Sequence, residues 1–365
     1  MNKFPIYQPD LSGNERAYLN ACMDSSWISS KGSFIEKFEN NFANFTGIRY
    51  AVSVNNGTAA LHIALLALGV GPGDEVIVPS LTYIASVNAI TYVGAKPVFV
   101  DSLPDTWQMD PDDINRKISG KTKAIVAVHL YGHPCDMDKI VKIAREHDLK
   151  IVEDCAEAIG SKYKNSHVGN MSDVATFSFF GNKTITTGEG GMILSKDQST
   201  SDKARKLKGQ GLATGREYWH DVVGYNYRMT NICAAIGVAQ LERIDSLIES
   251  KLRIAQIYKK ELISDKITFH PEANNVTHSY WMCSILTDNP LRRDRLRKHL
   301  EINGIETRPL FPPVHTMPMY FENSKYPVAI DLAARGLNLP SWPGLKESDV
   351  AFIANSVNDF MESAS

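Results

Sequence analysis

The stretch that decides the fold reads KIVEDCAE and occupies residues 150–157. Its apolar start indicates a buried strand, the acids Glu153 and Asp154 follow, and Glu157 comes three residues later. Carboxylates at the C-terminal end of a buried parallel strand lie where α/β sheets bind ligands. We therefore expect Asp154 and Glu157 at a ligand site, and we interpret Glu153 as an acid that complements the start of a helix.

Short β-rich runs alternate with amphipathic stretches from residue 50 to about residue 195. This alternation predicts the α/β class, with a mainly parallel sheet and helices packed on its faces. The predicted strands are 75–79, 97–101, 123–130, 150–154, 175–180 and 191–195.

The C-terminal part has a different pattern, which predicts a smaller α+β domain. Residues 231–262 can form one long helix, and later patterns predict strands at 280–286 and 306–310 and helices at 291–303 and 348–363. We place the boundary near residue 245, which gives a large domain with the N-terminal segment at 1–245 and a small domain at 246–365. A chain of 365 residues is long enough for both.

Composition favours small-molecule chemistry. The 39 Lys and Arg nearly balance 41 Asp and Glu, so no global field attracts nucleic acid or anionic lipid. The basic runs at 203–208 and 292–298 are interpreted as solvated helix faces. No apolar stretch reaches the length of about eighteen residues that a membrane span needs. The five scattered cysteines form no CxxC pair, and we expect reduced thiols in a cytoplasmic protein.

A metal site is the less favoured interpretation of His129, His133 and Cys135. These residues lie in HLYGHPCD, residues 129–136, where an extended strand and a loop would not hold three ligands convergently. A surface loop is expected there instead, although His133 could help to shape a nearby site. We predict no metal.

Lys183 is the candidate catalytic amine. It lies in FSFFGNKTITTGEGG, residues 177–191, between an aromatic strand and a glycine-rich turn. Burial lowers the pKa of a lysine, and a neutral amine attacks an aldehyde to form an imine. A phosphate-binding P-loop is excluded because Phe177 and Asn182 replace the two glycines of that motif.

A phosphate site is predicted at Gly57 and Thr58, where a strand-like AVSV is followed by NNG and a helix begins. Free amide groups at a helix start bind phosphate, and glycine permits close approach. An ordinary N-cap formed by Thr58, with no ligand, is an equal alternative from these residues alone.

Five motifs together resemble the sugar aminotransferases of the DegT/DnrJ/EryC1/StrS family. They are NNGTAAL (55–61), PSLTYIAS (79–86), EDCAEAIGS (153–161), FSFFGNKTITTGEGG (177–191) and GYNYRMTNICAAIG (224–237). The resemblance spans essentially the whole chain. It implies a fold-type I, aspartate aminotransferase-like homodimer that uses pyridoxal 5'-phosphate (PLP), with pyridoxamine phosphate as the intermediate form of the cofactor.

The resemblance also implies roles for individual residues. Lys183 would hold PLP as a Schiff base, and Asp154 would pair with the pyridine nitrogen. The other implied contacts are Tyr83 stacked on the ring, Glu157 beside the ring hydroxyl, Gly57, Thr58 and Ser178 at the phosphate, and Asn226 reaching the phosphate from the partner subunit. A related dehydratase branch has His at the lysine position, so Lys183 favours a transaminase.

The substrates are likewise implied by the resemblance, as L-glutamate and a nucleotide-linked 4-keto sugar. The motifs are most similar to the branch that aminates GDP-4-keto-6-deoxymannose for polysaccharide biosynthesis. A UDP- or dTDP-linked keto sugar remains an alternative, as does a non-catalytic regulator on the same fold. The aromatic residues of 218–227 could contact the nucleotide sugar or pack in the dimer interface.

Overall fold

The computed structural model describes residues 3–363, so the outer ends of the two predicted domains, 1–2 and 364–365, lie outside the described residues. Within this range the strands are β1 (Tyr50–Val54), β2 (Glu75–Pro79), β3 (Lys96–Val100), β4 (Thr122–Val128), β5 (Lys150–Asp154), β6 (Lys162–Tyr163), β7 (Ser166–His167), β8 (Val174–Ser178), β9 (Gly191–Ser195), β10 (Ile267–Phe269), β11 (Val276–Thr277), β12 (Cys283–Thr287), β13 (Arg308–Pro309) and β14 (Gly336–Leu339).

The α-helices of the same range separate these strands. They are α1 (Glu15–Ser25), α2 (Ser33–Thr46), α3 (Gly57–Ala67), α4 (Ala85–Tyr92), α5 (Pro111–Lys117), α6 (Met137–Glu146), α7 (Gln198–Lys208), α8 (Asn231–Leu241), α9 (Ile244–Glu261), α10 (Pro290–Ile302), α11 (Pro327–Arg335) and α12 (Glu347–Ser363). Across residues 3–363, each helix is too short or too polar to traverse a bilayer.

A seven-stranded sheet occupies the centre of the part of the chain that the structure describes. Its order is β1-β9-β8-β5-β4-β2-β3. The five strands from β8 to β3 are parallel, whereas β9 is antiparallel to both of its neighbours. The predicted α/β class is confirmed, and each predicted strand of this sheet is present with ends shifted by two residues or fewer.

Both faces of the sheet are buried, which explains the continuous apolar strands. Val76 and Val78 of β2 pack in one core cluster with α3 and α4, whereas Ile77 between them packs in another with α5 and α6. Successive side chains of a strand point to opposite faces, so each face needs its own apolar set. Because helices cover both faces of the sheet, a ligand site is expected at the ends of the strands.

The predicted single helix at 231–262 is wrong, because the chain forms two helices, α8 and α9, separated at Glu242 and Arg243. Arg243 donates to both carboxylate oxygens of Asp10, at 3.2 and 3.0 Å, and Glu242 accepts from Tyr18 Oη at 2.6 Å. These contacts reach the N-terminal segment, more than two hundred residues away. Local helical periodicity cannot reveal them.

A second sheet lies in the C-terminal part, with the order β10-β12-β14-β13 and antiparallel pairing throughout. The strands predicted at 280–286 and 306–310 are present in this sheet as β12 and β13, and each is shorter than predicted. Buried residues of α9, α10 and α12 pack on this sheet in one cluster. The domain boundary near residue 245 stays a prediction. A third, three-stranded sheet has the order β11-β6-β7.

Lys208 departs from the solvated face that the basic run at 203–208 predicts. Its side chain is buried, and Nζ donates to the carbonyl oxygen of Ser53 at 2.6 Å and to Glu39 at 3.2 Å. Arg205 donates to the same carboxylate at 2.8 Å. The end of α7 is therefore attached to β1, which a charge pattern alone does not predict.

Candidate active site

A cavity of about 720 Å³ opens at the edge of the central sheet where the parallel strands end. The last residues of β4, β5 and β8, namely Val128, Asp154 and Ser178, all line it. This is the edge at which α/β sheets bind ligands. Its other lining residues include Asn55, Asn56, Gly57, Thr58, His62, Tyr83, Ser86, Tyr92, Glu157, Phe180, Asn182, Lys183, Tyr227, Trp281 and Phe311.

Lys183 lies in the turn between β8 and β9, where its amide donates to the carbonyl oxygen of Phe180 at 2.9 Å. Its Nζ lies 3.9 Å from Oε1 of Glu157 and 3.7 Å from the ring centroid of Trp281. Burial lowers the pKa of Lys183, while Glu157 and Asp154 act in the opposite direction. The expected desolvated amine is therefore present, with two acids near it.

Asp154 is the last residue of β5 and is buried. Its Oδ2 accepts from Ser86 Oγ at 2.7 Å and its Oδ1 from the amide of Ala156 at 3.1 Å. Burial raises the pKa of Asp154 despite these hydrogen bonds and the positive charge of Lys183. A carboxylate in this position is poised to meet a cationic N–H group in the cavity.

Glu157 is held by the backbone of Tyr131, whose amide donates to its Oε2 at 2.8 Å. Tyr131 has a φ of 56°, the left-handed region that a bulky side chain rarely adopts. Such strain persists where the surrounding structure determines it, often at functional sites. Burial raises the pKa of Glu157 to about 7, although Lys183 and the Tyr131 amide lower it.

Glu153 has a structural role that differs from the prediction. In the described structure β5 is followed by turns and then by β6, with no helix between them, so Glu153 does not complement a helix start. It lies buried in β5 and accepts from the amides of Gly169 at 2.6 Å and Met171 at 2.9 Å. Burial raises the pKa of Glu153, but His129 and the Gly169 amide outweigh burial and bring the pKa below its ordinary value. The acid thereby fixes the chain that leads into β8.

The HLYGHPCD segment is buried, so the predicted surface loop is wrong. His129 Nδ1 accepts from the amide of Cys135 at 3.1 Å, which leaves Nε2 to donate to Glu153 at 3.0 Å. The group His129, Glu153 and Cys155 has ligand atoms within 4.8 Å of one another. Because His129 and Glu153 already bind each other and nearby amides, the group is a hydrogen-bond network that supports β5. All five cysteines are free thiols.

The start of α3 forms a cradle beside the cavity. Asn56 is the N-cap, not Thr58, and its side chain accepts from the amide of Ala59 at 2.8 Å. The first amides of a helix have no carbonyl partner within it, so those of Gly57 and Thr58 remain at the cavity wall. A Cβ on Gly57 would lie 2.8 Å from Cβ of Ser178, so only glycine lets the two segments approach this closely.

Two predicted residues occupy different positions relative to this cavity. Tyr83 lines it and is 57 % exposed, and its ring centroid lies 5.5 Å from that of Phe311. Asn226 is exposed, forms a bridge with Gly209, and is absent from the lining of the cavity of its own chain. Its predicted contribution from a partner subunit stays a prediction.

Sequence reasoning missed several residues that shape the site. Trp281 lies under Lys183, Ser86 donates to Asp154, and Tyr131 donates to Glu157. Ser86 is part of the PSLTYIAS motif, so its position could have been inferred. Trp281 and Tyr131 carry no such local signal.

The donor set fits pyridoxal phosphate. A buried acid, a buried lysine and a helix N-terminus surround one cavity, which suits a pyridine nitrogen, an aldehyde carbon and a phosphate. The Oδ1 atoms of Asn55 and Asn182 are buried and lack hydrogen-bond partners among residues 3–363, although both residues line the cavity. Polar atoms without partners indicate a site built for a ligand.

Comparison with solved structures defines the class of protein. Spr1654 from Streptococcus pneumoniae, in its PLP form, has a TM-score of 0.95 and 30% identity, and the match covers 100% of each chain. Its solved forms also include a PMP form. The fold and the site define a fold-type I PLP-dependent enzyme. The chain belongs to the DegT/DnrJ/EryC1/StrS aminotransferase family, whose model matches residues 9–358.

Two similar relatives share most of this sequence. GDP-perosamine synthase from Escherichia coli O157:H7 is 60% identical over 361 residues, which cover 99% of each chain. GDP-perosamine synthase from Vibrio cholerae is 51% identical over 361 residues, which cover 98% of each chain. The alignments therefore include every part of the site described above.

Proposed function

We propose that this PLP-dependent aminotransferase moves the amino group of L-glutamate to C4 of GDP-4-keto-6-deoxy-D-mannose. The products would be GDP-perosamine and 2-oxoglutarate. The observation that carries the proposal is the 60% identity to a GDP-perosamine synthase over 99% of both chains. The chemistry of the site supports it, because Lys183, Asp154 and Glu157 line one cavity.

PLP, when bound, supplies an electron sink for the negative charge that forms at the carbon bearing the amino group. Lys183 is the residue that would hold it covalently, because its amine lies in the cavity and burial lowers its pKa. Asp154 would hold the pyridine nitrogen and Glu157 the ring hydroxyl. Tyr83, on the open side of the cavity, would cover the ring.

Lys183 would also move the proton of the reaction. A neutral amine accepts a proton from the α-carbon of glutamate, and the resulting ammonium can return it to another atom. Oε1 of Glu157 lies 3.9 Å from Nζ, and the Trp281 ring lies 3.7 Å from it, so both can stabilise the transient positive charge. Glu157 and the Trp281 ring would therefore support proton transfer both to Lys183 and from it.

The phosphate would bind at the amides of Gly57 and Thr58 and at the hydroxyl of Ser178. Asn226 would complete this cradle from the partner subunit, so we propose a homodimer with shared sites. We also propose that the protein is cytoplasmic, because sugar nucleotides and glutamate are present in that compartment.

The test is incubation with L-glutamate, PLP and, in separate reactions, GDP-, UDP- and dTDP-linked 4-keto-6-deoxy sugars, followed by mass analysis of the products. Amination of the GDP sugar alone, with one 2-oxoglutarate formed per amine, is the expected result. Amination of only a UDP or dTDP sugar would overturn the named substrate while leaving the transaminase intact. Failure to aminate any of the sugars, with PLP bound, would favour the non-catalytic alternative.

A further inference from the structure

Lys251 is a fully buried cation on α9, outside the residues that line the cavity. Its Nζ donates to the carbonyl oxygen of Trp281 at 2.9 Å, to Ser341 Oγ at 2.8 Å and also to the carbonyl oxygen of Ser341. Burial lowers the pKa of Lys251 to about 8. Burying an ammonium group costs free energy even where carbonyl and hydroxyl oxygens accept its hydrogen bonds. The burial of Lys251 therefore suggests that this residue has a specific role.

Trp281 connects this cation to the catalytic lysine. Its ring lies 3.7 Å from Nζ of Lys183, and its Nε1 donates to the carbonyl oxygen of Asn182 at 2.7 Å. Lys251 holds the backbone of this same residue. Lys251 therefore holds the main chain of Trp281, and the face of the Trp281 indole lies against the amine of Lys183.

Tyr7 makes a second connection between the same two lysines. Its hydroxyl donates to the carbonyl oxygen of Lys183 at 2.6 Å, and its ring centroid lies 5.6 Å from Nζ of Lys251. The carbonyl groups on both sides of the Lys183 Cα, those of Asn182 and Lys183, therefore accept hydrogen bonds from the side chains of two residues that contact Lys251. The arrangement fixes both the backbone and the amine of Lys183.

We infer that Lys251 is a positioning residue that fixes Trp281 beneath the amine of Lys183 and so sets the reactivity of that amine. The inference rests on the proposed function, in which Lys183 is the reacting amine. Without Lys251, two buried carbonyl groups lose their donor and Trp281 can shift. A displacement of about 1 Å at a reacting group can reduce the rate by about a hundredfold.

The aromatic face stabilises the charged form of Lys183, because a cation is attracted to the ring quadrupole. Burial lowers the pKa of Lys183, and Glu157 and Asp154 raise it. Removing the positive charge of Lys251 would by itself raise that pKa further. A fall in the pKa on replacing Lys251 would therefore come from the position of Trp281.

The test uses Lys251→Met, which keeps the length and enclosure of the side chain, and Trp281→Phe, which keeps a smaller ring. Lys260→Met is the matched control, because Lys260 lies on the same helix with its side chain 83% exposed. The first measurement is the pH dependence of trace acetylation of Lys183 in the cofactor-free full-length chain, followed by peptide mass analysis. The second is kcat and KM for glutamate in the loaded enzyme.

We expect the pKa of Lys183 to fall by about one unit in both variants, as the loss of a desolvated cation–π contact predicts. We also expect kcat to fall at least about tenfold while KM for glutamate changes by less than about threefold. An unchanged or raised pKa in Lys251→Met would contradict the inference, whatever Trp281→Phe shows. Should Lys251→Met fail to fold, Ser341→Ala takes its place, because it removes the hydroxyl that lies 2.8 Å from Nζ of Lys251. A pKa of Lys183 equal to that of the wild type in Ser341→Ala would then contradict the inference. Because acetylation needs no turnover, a wild-type chain without transaminase activity would overturn the proposed function and leave this measurement valid.

Discussion

Lys183 is the residue on which the proposed chemistry depends most. In the proposed mechanism, Lys183→Ala would remove both the covalent hold on PLP and the group that moves the proton. We expect the visible absorbance of lysine-bound PLP to vanish and kcat to fall by at least about a thousandfold. Absorption spectra and a coupled glutamate assay measure the two effects. Lys260→Ala, an exposed lysine elsewhere, is the control, and an active, yellow Lys183→Ala protein would refute the assignment.

Glu157 should make the cofactor-free protein less stable as the pH rises. Its carboxyl ionises near its ordinary pKa of 4.5 in the unfolded chain, whereas burial raises the pKa in the folded chain to about 7. Between these values the folded state keeps a proton that the unfolded state has released. The free energy of unfolding contributed by this group therefore falls as the pH rises through that window.

Glu157→Gln tests this dependence, because the amide cannot ionise. We expect the variant to gain stability relative to the wild type between pH values of about 5 and about 7, measured by urea denaturation at each pH. Groups distant from Glu157 act equally in both proteins and cancel, whereas Lys183 loses the neighbouring carboxylate that raises its pKa. Parallel pH profiles for the two proteins would show that Glu157 ionises normally in the fold.

Much of the site is visible in the sequence because its residues follow strand ends directly. Asp154 and Glu157 share one segment, and Lys183 lies shortly after the end of the neighbouring strand β8. Parallel strands bring such segments to one edge, so position in the chain predicts position in space. Trp281 could not be found this way, because it lies just before β12 and reaches Asn182 across 99 residues of sequence.

At the scale of elements, the start of α3 carries its own prediction. Gly57→Ala would place a Cβ 2.8 Å from Cβ of Ser178 and force apart the two segments that we propose bind the phosphate. We expect the Kd for PLP to rise by about tenfold to a hundredfold, the equivalent of about 1–3 kcal/mol of overpacking. Equilibrium dialysis of PLP measures it. Gly71→Ala is the control, since a Cβ there meets no atom within 4 Å, and equal affinities in both variants would contradict the cradle.

The break between α8 and α9 marks the limit of element prediction from periodicity. The sequence from residue 231 onward has helical spacing without proline, and the apolar pattern continues through Arg243. The hydrogen bonds of Arg243 to Asp10 and of Glu242 to Tyr18 accompany the change in direction. Strand positions were predictable because a continuous apolar run indicates a buried strand. The break between α8 and α9 depends instead on hydrogen-bond partners near the N-terminus, which local periodicity does not show.

At the scale of the whole molecule, the position of Asn226 predicts subunit complementation. Asn226 is exposed and does not reach the cavity of its own chain. Lys183→Ala and Asn226→Ala homodimers should each be defective. Random mixing at equal amounts should restore about a quarter of wild-type activity, because about half of the dimers are mixed and each has one intact site. Activity after unfolding and refolding the mixture measures this.

The control is each variant refolded alone, which should stay inactive. If Asn226 served its own subunit, the mixed dimer would contain one defect in each site and no activity would return. The experiment therefore separates a shared site from an autonomous one.

Among the residues that the structure describes, strand β1 lies at the edge of the central sheet and pairs with β9, and about 140 residues separate their partners along the chain. During synthesis, β1 and the adjoining start of α3 thus emerge from the ribosome long before their neighbour exists. Until β9 is made, the backbone groups of β1 lack their strand partner and its apolar side chains are not packed. This state favours association with other nascent chains. The last strand to join closes the cradle at Gly57, so competence to bind the cofactor should arise late in folding, when β9 inserts between β1 and β8.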